Sequence, residues 1–462
     1  MTQPLLVGLD VGTTASKAVV FTFSGKALAE GRAATPWQAT ASGAELDPRR
    51  LLGAVLRAAG DALAAAPPGP VAALGVASIG ESGVLTGPHG EPVAPVIAWH
   101  DTRDEQEVGE LAAEVGAAEF AARTGLPLRG QWSITKQRWL ARNRPEAGAA
   151  RRRFSIAEWV VRALGGEEAS EQSLASRTGW LDLARRQWWP EALDWSGVAP
   201  SLLPDLTVAG RPLGRVTAAD APARLAGAVL TVAGQDHQAA CVGAGAAGPG
   251  DLLDSCGTAE ALIRTARPDL PAAAVRELTE AGVTVGWHAL PGRWCLLGAT
   301  EGGLVLERTL QLLGRSGAAI PDLDRLALSA PPSHVQLAVS LGTVALAAGG
   351  DASPGPVWRA ATEAVTGQAA ELGAVMTRVA GAPRRIVVTG GWARSSALMS
   401  AKVRAFGPLS LLPEPVEAGA RGAALLAGLA AGIYASADEF PAPGTVPAEP
   451  RPAPGTPEAP GA

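Results

Sequence analysis

The stretch that most constrains this chain is LLVGLDVGTTASKAVVFTF, residues 5–23. Two apolar runs rich in Val, Leu and Phe flank a Gly-Thr-Thr turn, and Ser24-Gly25-Lys26 supplies the next reversal before ALAEG. Such runs between turn residues predict three short antiparallel strands in succession. Gly12 lets the backbone approach a ligand closely, so the amides of Gly12, Thr13 and Thr14 and the two hydroxyls can face phosphate oxygens. Asp10 ends the first strand beside that concavity, where a carboxylate would repel phosphate unless Mg²⁺ lies between them. The turn is not a Walker loop, because G-x-x-x-x-G-K-[ST] is absent; an ordinary glycine-turn hairpin is the plainer alternative.

A chain of 462 residues exceeds one hydrophobic core and predicts two domains. Its net charge of -5 carries no basic footprint, which argues against nucleic acid or an anionic membrane as partner. Cys241, Cys256 and Cys295 are too few and scattered for a disulfide framework, as in a reducing compartment. The amino terminus lacks a basic n-region, and the apolar run at 422–435 is short and broken by glycine. A soluble, cytoplasmic protein is the expectation, and nothing excludes a homodimer.

Along the chain, residues 47–65 space their apolar side chains as one helical face, and 71–79 read as a strand ending at Gly80-Glu81-Ser82-Gly83. A loop at the carboxyl end of such a strand is where open α/β sheets gather ligands, so Glu81 and Ser82 are substrate candidates beside the alternative of a solvated turn. Residues 92–104 then bring together Trp99, Asp101 and Arg103, an aromatic face with an acid and a guanidinium suited to a polyhydroxylated ligand. An Asp101–Arg103 ion pair with a structural role reads equally well. Helices are expected over 105–122, 131–142 and 154–164, and most tryptophans near 188 as packing.

A buried strand at 228–233 leads into Gly234-Gln235-Asp236-His237, where an acid at a helix start stays ionised and can act as a general base. The G-x-G-x-x-G at 243–248 follows a helix, not a strand, so it reads as close packing and not as a dinucleotide site. Residues 251–262 repeat the opening logic: a strand, Ser255, Gly257-Thr258 and an apolar return. Two such loops, one per half, suggest duplicated domains facing a cleft that holds a nucleotide. Farther on, 357–379 carry a helical stripe, 384–389 a strand, and Gly390-Gly391 precede a helix at 396–406 whose N-terminus can accept phosphate or ribose. A small-residue helix follows at 417–433, and the Pro/Ala/Gly/Glu tail from 441 is expected to be disordered.

Three segments in this order, GLDVGTTASK, VAGQDHQAACVGAGAAGPGDLLDSCGTAEAL and VVTGGWARSSALMSAKVRAFG, resemble the two phosphate motifs and the adenosine motif of the FGGY carbohydrate kinases, within the actin-like ATPase superfamily. SLASRTGWLDL and IGESGVLTGPHGEPVAPVIAWHDTR resemble its sugar-kinase members, and the likeness runs over about residues 4–435. It implies an α/β fold of two ribonuclease-H-like domains flanking a cleft, divided as 1–234, 235–440 and a tail at 441–462. It also implies transfer of the ATP γ-phosphoryl group to a hydroxyl of a small sugar or polyol, a neutral ketose or polyol by the residues around Glu81.

On that resemblance Asp236 is the general base and, with Asp10, a Mg²⁺ ligand. Gly12, Thr13, Thr14, Lys17, Gly257, Thr258, Gly390, Gly391 and Ser395 hold ATP, and Glu81, Ser82, Trp99, Asp101, Arg103, Asp236 and His237 face the substrate. The chain departs from the family at Trp392, at LAVSLGTVALAAGGDASPGP (337–356) and at Gly80-Glu81-Ser82. The alternatives are a kinase-like sugar sensor without turnover and an actin-like ATPase.

Overall fold

The computed structural model describes residues 3–331, 335–340, 343–348, 351–412 and 417–448. Its contacts divide into two compact units, Met1–Pro249 with Thr265–Leu296 and Pro415–Pro443, and Gly250–Arg264 with Leu297–Glu414 and Gly444–Ala462. Both are discontinuous in sequence, whereas the sequence reading takes continuous segments, 1–234, 235–440 and a tail at 441–462.

In the first unit, strands Leu5–Val11, Ala15–Phe21 and Ala27–Ala34 form the expected antiparallel succession. Val71–Ser78 joins Leu5–Val11 in parallel, and Val229–Gln235 joins Val71–Ser78 in parallel, completing a five-stranded mixed sheet. Helix Pro48–Ala65 starts at an Asp47 cap with proline in its first turn and buries Leu51, Val55, Ala58, Ala62 and Leu63.

The helix Ala418–Ala430 packs against four of these strands and helix Asp236–Gly243, and its small residues have a physical reason. A Cβ at Gly8 would run into the Ala420 carbonyl, one at Gly75 into that of Ala423, and one at Gly422 into that of Ala239. Backbone therefore lies directly on backbone, which only glycine at these positions permits.

Residue 116 breaks the helix expected over 105–122: Gly116 has φ 88°, so Glu105–Glu114 and Ala117–Thr124 are separate helices. Near residue 154 the chain first forms a strand, Arg152–Ser155, and a Ser155/Glu158 capping box then opens helix Ile156–Ala163. Trp132, Trp180, Trp189 and Trp195 pack with Phe120 and Leu193 in one apolar cluster, which for Trp189 and Trp195, near residue 188, agrees with their reading as packing.

The second unit repeats the motif of the first. Asp251–Cys256 pairs antiparallel with Glu260–Ala266 on one side and parallel with Arg385–Thr389 on the other. Leu409–Leu411 continues the sheet in parallel, and helices Gly302–Leu312, Ile320–Ser329, Pro354–Ala380 and Ser396–Phe406 pack together beside it. The backbone of 335–340 and 343–348 pairs antiparallel, overlapping the unusual 337–356 stretch; residues 341, 342, 349 and 350 lie outside the described residues.

One expectation needs correction. The tail does not lose order at 441: Val446–Ala448 pairs antiparallel with Leu409–Leu411, and the Arg421 guanidinium holds the Pro441 carbonyl at 2.6 Å. Edge pairing supplies what composition alone does not, since Val446 and Ala448 complete a ladder rather than bury a core. The disorder expected for 449–462 falls outside the described residues.

Candidate active site

The Gly12-Thr13-Thr14 turn is tied down from three directions. Thr35 Oγ1 donates to the Gly12 carbonyl at 2.8 Å, the Trp37 indole to the Thr13 carbonyl at 2.7 Å, and the Thr35 amide to the Thr14 carbonyl at 3.0 Å. With the carbonyls held outward, the Thr14 side chain stays exposed, and its hydroxyl has no hydrogen bond among the described residues. Trp99 is a donor here: its indole N–H bonds Thr13 Oγ1 at 2.9 Å, and its ring meets His100 edge-on. Lys17, opposite Asp10 in the strand register, pairs with Glu417 at 2.6 Å.

Asp10 sits at the end of its strand with Oδ1 buried and without a hydrogen-bond partner. Burial, and after it the charge of Asp236, pushes its carboxyl up to about 7. Asp236 is raised in turn, by burial first and with Glu81 among the further causes. It opens helix Asp236–Gly243 directly after the strand, in which Gly234, at φ 88°, sits at a register shift and still pairs with Ala77. Its Oδ1 accepts from the His237 amide at 2.8 Å and from Gln235 Nε2 at 2.5 Å. That leaves Oδ2 without a hydrogen bond among the described residues. Two buried carboxylates, each raised first by burial and Asp10 further by the charge of Asp236, one of them with an orphaned oxygen, form a donor set that a divalent cation would relieve.

Around Asp236 the sequence candidates separate. Glu81 is buried and gripped by Arg177, Nε at 2.8 Å and Nη2 at 2.5 Å, with Gln131 Nε2 at 3.2 Å. Ser82 donates its hydroxyl to the Ile97 carbonyl at 2.9 Å. Asp101 accepts from the Ala44 amide and from Arg103 Nε and Nη2, while Arg103 Nη1 reaches Glu45. The side chains of Asp101 and Arg103 are almost wholly buried and ion-paired with each other, as the alternative reading expects. A cavity of about 510 Å³ in this unit is lined by Trp99, His100, Asp101, Arg129 and Gln131 among others.

In the second unit the Gly257 amide bonds the Ser255 carbonyl at 3.0 Å, and Thr258 is exposed at the tip of the turn. Gly390, at φ 95°, lies so close to Cys256 that a Cβ would meet its backbone. Ser395 is wholly buried; it donates to Asp324 Oδ1 at 2.7 Å and caps the Leu398 amide at 3.3 Å. Trp358 binds the same Asp324 oxygen at 2.8 Å, and its ring lies 6.3 Å from that of Trp392.

Residues 5–243 match the FGGY family of carbohydrate kinases, N-terminal domain. A glycerol kinase of Symbiobacterium thermophilum is 31% identical over 482 residues, covering 95% of this chain and 92% of that protein. The chain belongs to the FGGY family of carbohydrate kinases. A xylulose kinase of Streptomyces rubiginosus is 31% identical over 330 residues, which is 69% of this FGGY chain; the chain spans 64% of that relative's length. The crystal structure of xylulose kinase from Rhodospirillum rubrum superposes with a TM-score of 0.82 at 26% identity, covering 96% of this chain and 94% of that one. The fold is thus the two-domain, actin-like ATPase fold of these kinases. Membership makes the chain a phosphotransferase with an alcohol group as acceptor, and a kinase family implies ATP as the donor. No helix among the described residues is long and apolar enough to cross a membrane.

Several residues of this FGGY kinase escape a reading by motif. Arg177 and Gln131 reach Glu81 from 96 and 50 residues away, a distance that periodicity does not encode. Glu171 is fully buried beneath Gly234: its Oε2 takes the Ser173 hydroxyl at 2.5 Å, and Ser173 Oγ accepts the Gln235 amide at 3.0 Å. The one available signal is the polar SEQS run, residues 170–173, just ahead of SLASRTGW.

Proposed function

We propose that the chain is an ATP-dependent kinase that phosphorylates a hydroxyl of a small neutral ketose or polyol. The observation that carries this reading is Asp236, held at a helix start by Gln235 and His237 with Oδ2 left unbonded beside Asp10. In this reading Asp236 takes the proton of the acceptor hydroxyl, and its raised proton affinity suits a base that must accept one. In the first unit the side chains and amides of Thr13 and Thr14 bind departing phosphate, the Gly12 amide being taken by the Ala15 carbonyl at 3.1 Å; in the second unit the exposed Thr258 does so, the Gly257 amide being taken by the Ser255 carbonyl. Gly390 and Gly391 lie along the adenosine, whereas Ser395 acts through the helix cap it forms.

Asp10 and Asp236 would hold Mg²⁺, which the orphaned Asp10 Oδ1 supports. When bound, the ion supplies charge neutralisation at the phosphates. Lys17, paired with Glu417 and about a third exposed, is placed to meet phosphate once that surface pair opens.

The neutral substrate follows from the charges near Asp236. Arg103 is fully engaged by Asp101 and Glu45, and Arg177 by Glu81 and Thr284. Neither of these two guanidiniums is free to neutralise a sugar carboxylate, while Arg129 of the cavity lining, stacked over Trp132 at 5.1 Å, has no ion pair among the described residues and faces the charge of Glu81; Gln131, His237 and the carboxylate oxygens can share hydroxyl hydrogen bonds. The test is ADP release across a panel of ketoses, polyols and sugar acids. Turnover with a neutral ketose or polyol supports the reading; a sugar acid as best substrate, or no turnover with any, contradicts it.

A further inference from the structure

The second phosphate turn stands on a buried charge cluster that none of the motifs announces. Cys256 and Glu260 face each other across the stem of the Gly257-Thr258-Ala259 turn. Asp254 and Cys256, two residues apart, share a strand face, and Cys256 Sγ donates to Asp254 Oδ1 at 3.4 Å. Into this face helix Ser396–Phe406 inserts Lys402, which is 0% exposed. Its ammonium donates to Asp254 Oδ2 at 2.5 Å and to Glu260 Oε1. Thr300 Oγ1 adds a hydrogen bond to the other Glu260 oxygen at 3.3 Å.

Asp254, Cys256 and Glu260 offer ligand atoms within 4.8 Å of one another, a spacing that could hold a metal ion. Lys402 already bridges the two carboxylates, so the ammonium is the resident cation. It is the one ion-pair partner of either acid among the described residues.

We propose that Lys402 is a positioning residue for the nucleotide: by bridging Asp254 and Glu260 it sets the Gly257-Thr258 turn and fastens it to the helix that follows Gly390-Gly391. The inference rests on assigning both segments to ATP, as above. Removing the ammonium leaves two buried carboxylates without their cation, Glu260 directly below the turn and Asp254 two residues farther down the neighbouring strand. Their repulsion spreads the stem and places uncompensated negative charge behind a site built for phosphate. The contact of Gly390 with the Cys256 backbone means that any such spreading also displaces the second nucleotide segment.

The test compares wild type, Lys402→Met, and Lys402→Met combined with Asp254→Asn and Glu260→Gln, which removes the repulsion along with the bridge. Nucleotide dissociation constants are measured with ADP, and KM values for ATP and sugar on the folded fraction. We expect Lys402→Met to weaken nucleotide by about tenfold or more while the sugar KM stays within about twofold, and the triple variant to recover most of that loss. A purely structural Lys402 would lower the melting temperature yet leave the nucleotide constant of the folded fraction unchanged, and that result overturns the proposal. So does an equal loss for nucleotide and sugar. Should wild type itself fail to bind ADP, the kinase reading falls too, which separates the two failures.

Discussion

Arg177 grips one carboxylate oxygen of Glu81 with two of its nitrogens, at 2.8 and 2.5 Å, in a site where both side chains are less than a tenth exposed. A charge that looks like a free substrate ligand in the sequence is in fact neutralised from 96 residues away. Breaking such a pair leaves an unpaired buried guanidinium, at a cost of about 3–5 kcal/mol. Glu81→Ala should therefore lower the melting temperature clearly and raise the sugar KM, with the ATP KM little changed. Wild-type thermal stability in Glu81→Ala would show that Arg177 finds another partner.

The phosphate turn gives a milder test. The Trp37 indole holds the Thr13 carbonyl, and Trp37→Phe keeps the ring while deleting that donor. One neutral hydrogen bond contributes about 0.5–1.5 kcal/mol. The ATP KM should rise by about two- to tenfold with the sugar KM unchanged, as read from steady-state kinetics with each substrate varied in turn. An equal rise for both substrates would mean that the turn is not specific to the nucleotide.

Glycine packing under the helix Ala418–Ala430 predicts a stability effect away from chemistry. At Gly8 the obstacle is the Ala420 backbone carbonyl, which cannot rotate away as a side chain can. Gly8→Ala should destabilise the protein by at least about 1–3 kcal/mol in urea unfolding, the range of an overpacked core. An unchanged urea midpoint would mean that the helix is free to lift.

The hairpin at residues 5–21 and its echo at 251–266 are legible in the sequence because a strand–turn–strand unit is local: apolar alternation and a Gly-Thr turn specify it without help from elsewhere. Asp236 is legible for the same reason, as an acid between a strand and a helix. Arg177, Glu171 and Lys402 are not. Arg177 and Lys402 act through partners 96 and more residues away in the chain, and Glu171 reaches Gln235 only through Ser173; on its own each reads as an ordinary polar residue of a loop or helix. Ser395 marks the opposite limit: the helix start is readable, but Asp324, which engages its hydroxyl, comes from a different helix.

Glu158 and Glu171 predict a pH dependence. Both are buried, and burial pushes each carboxyl up to about 7 from an ordinary value of 4.5. Between those values the folded state binds more protons than the unfolded one, so stability falls as pH rises, by up to about 1.4 kcal/mol per pH unit for each group, and levels off above about 7. Unfolding free energy measured in urea should decline from pH 5 to pH 7. Glu171→Gln, which mimics the protonated form, should flatten part of that slope. A slope identical in the variant would mean that Glu171 is not a source of it.

Asp236 is the proposed general base, and the most direct measurement is the turnover of Asp236→Asn together with its affinity for ADP. Asparagine preserves the size and the acceptor oxygen toward Gln235 and His237 but cannot take a proton. We predict that kcat falls by about two to four orders of magnitude, the usual share of a general base, while ADP binds nearly as to wild type. Turnover near the wild-type rate would remove Asp236 from the mechanism and contradict the proposal.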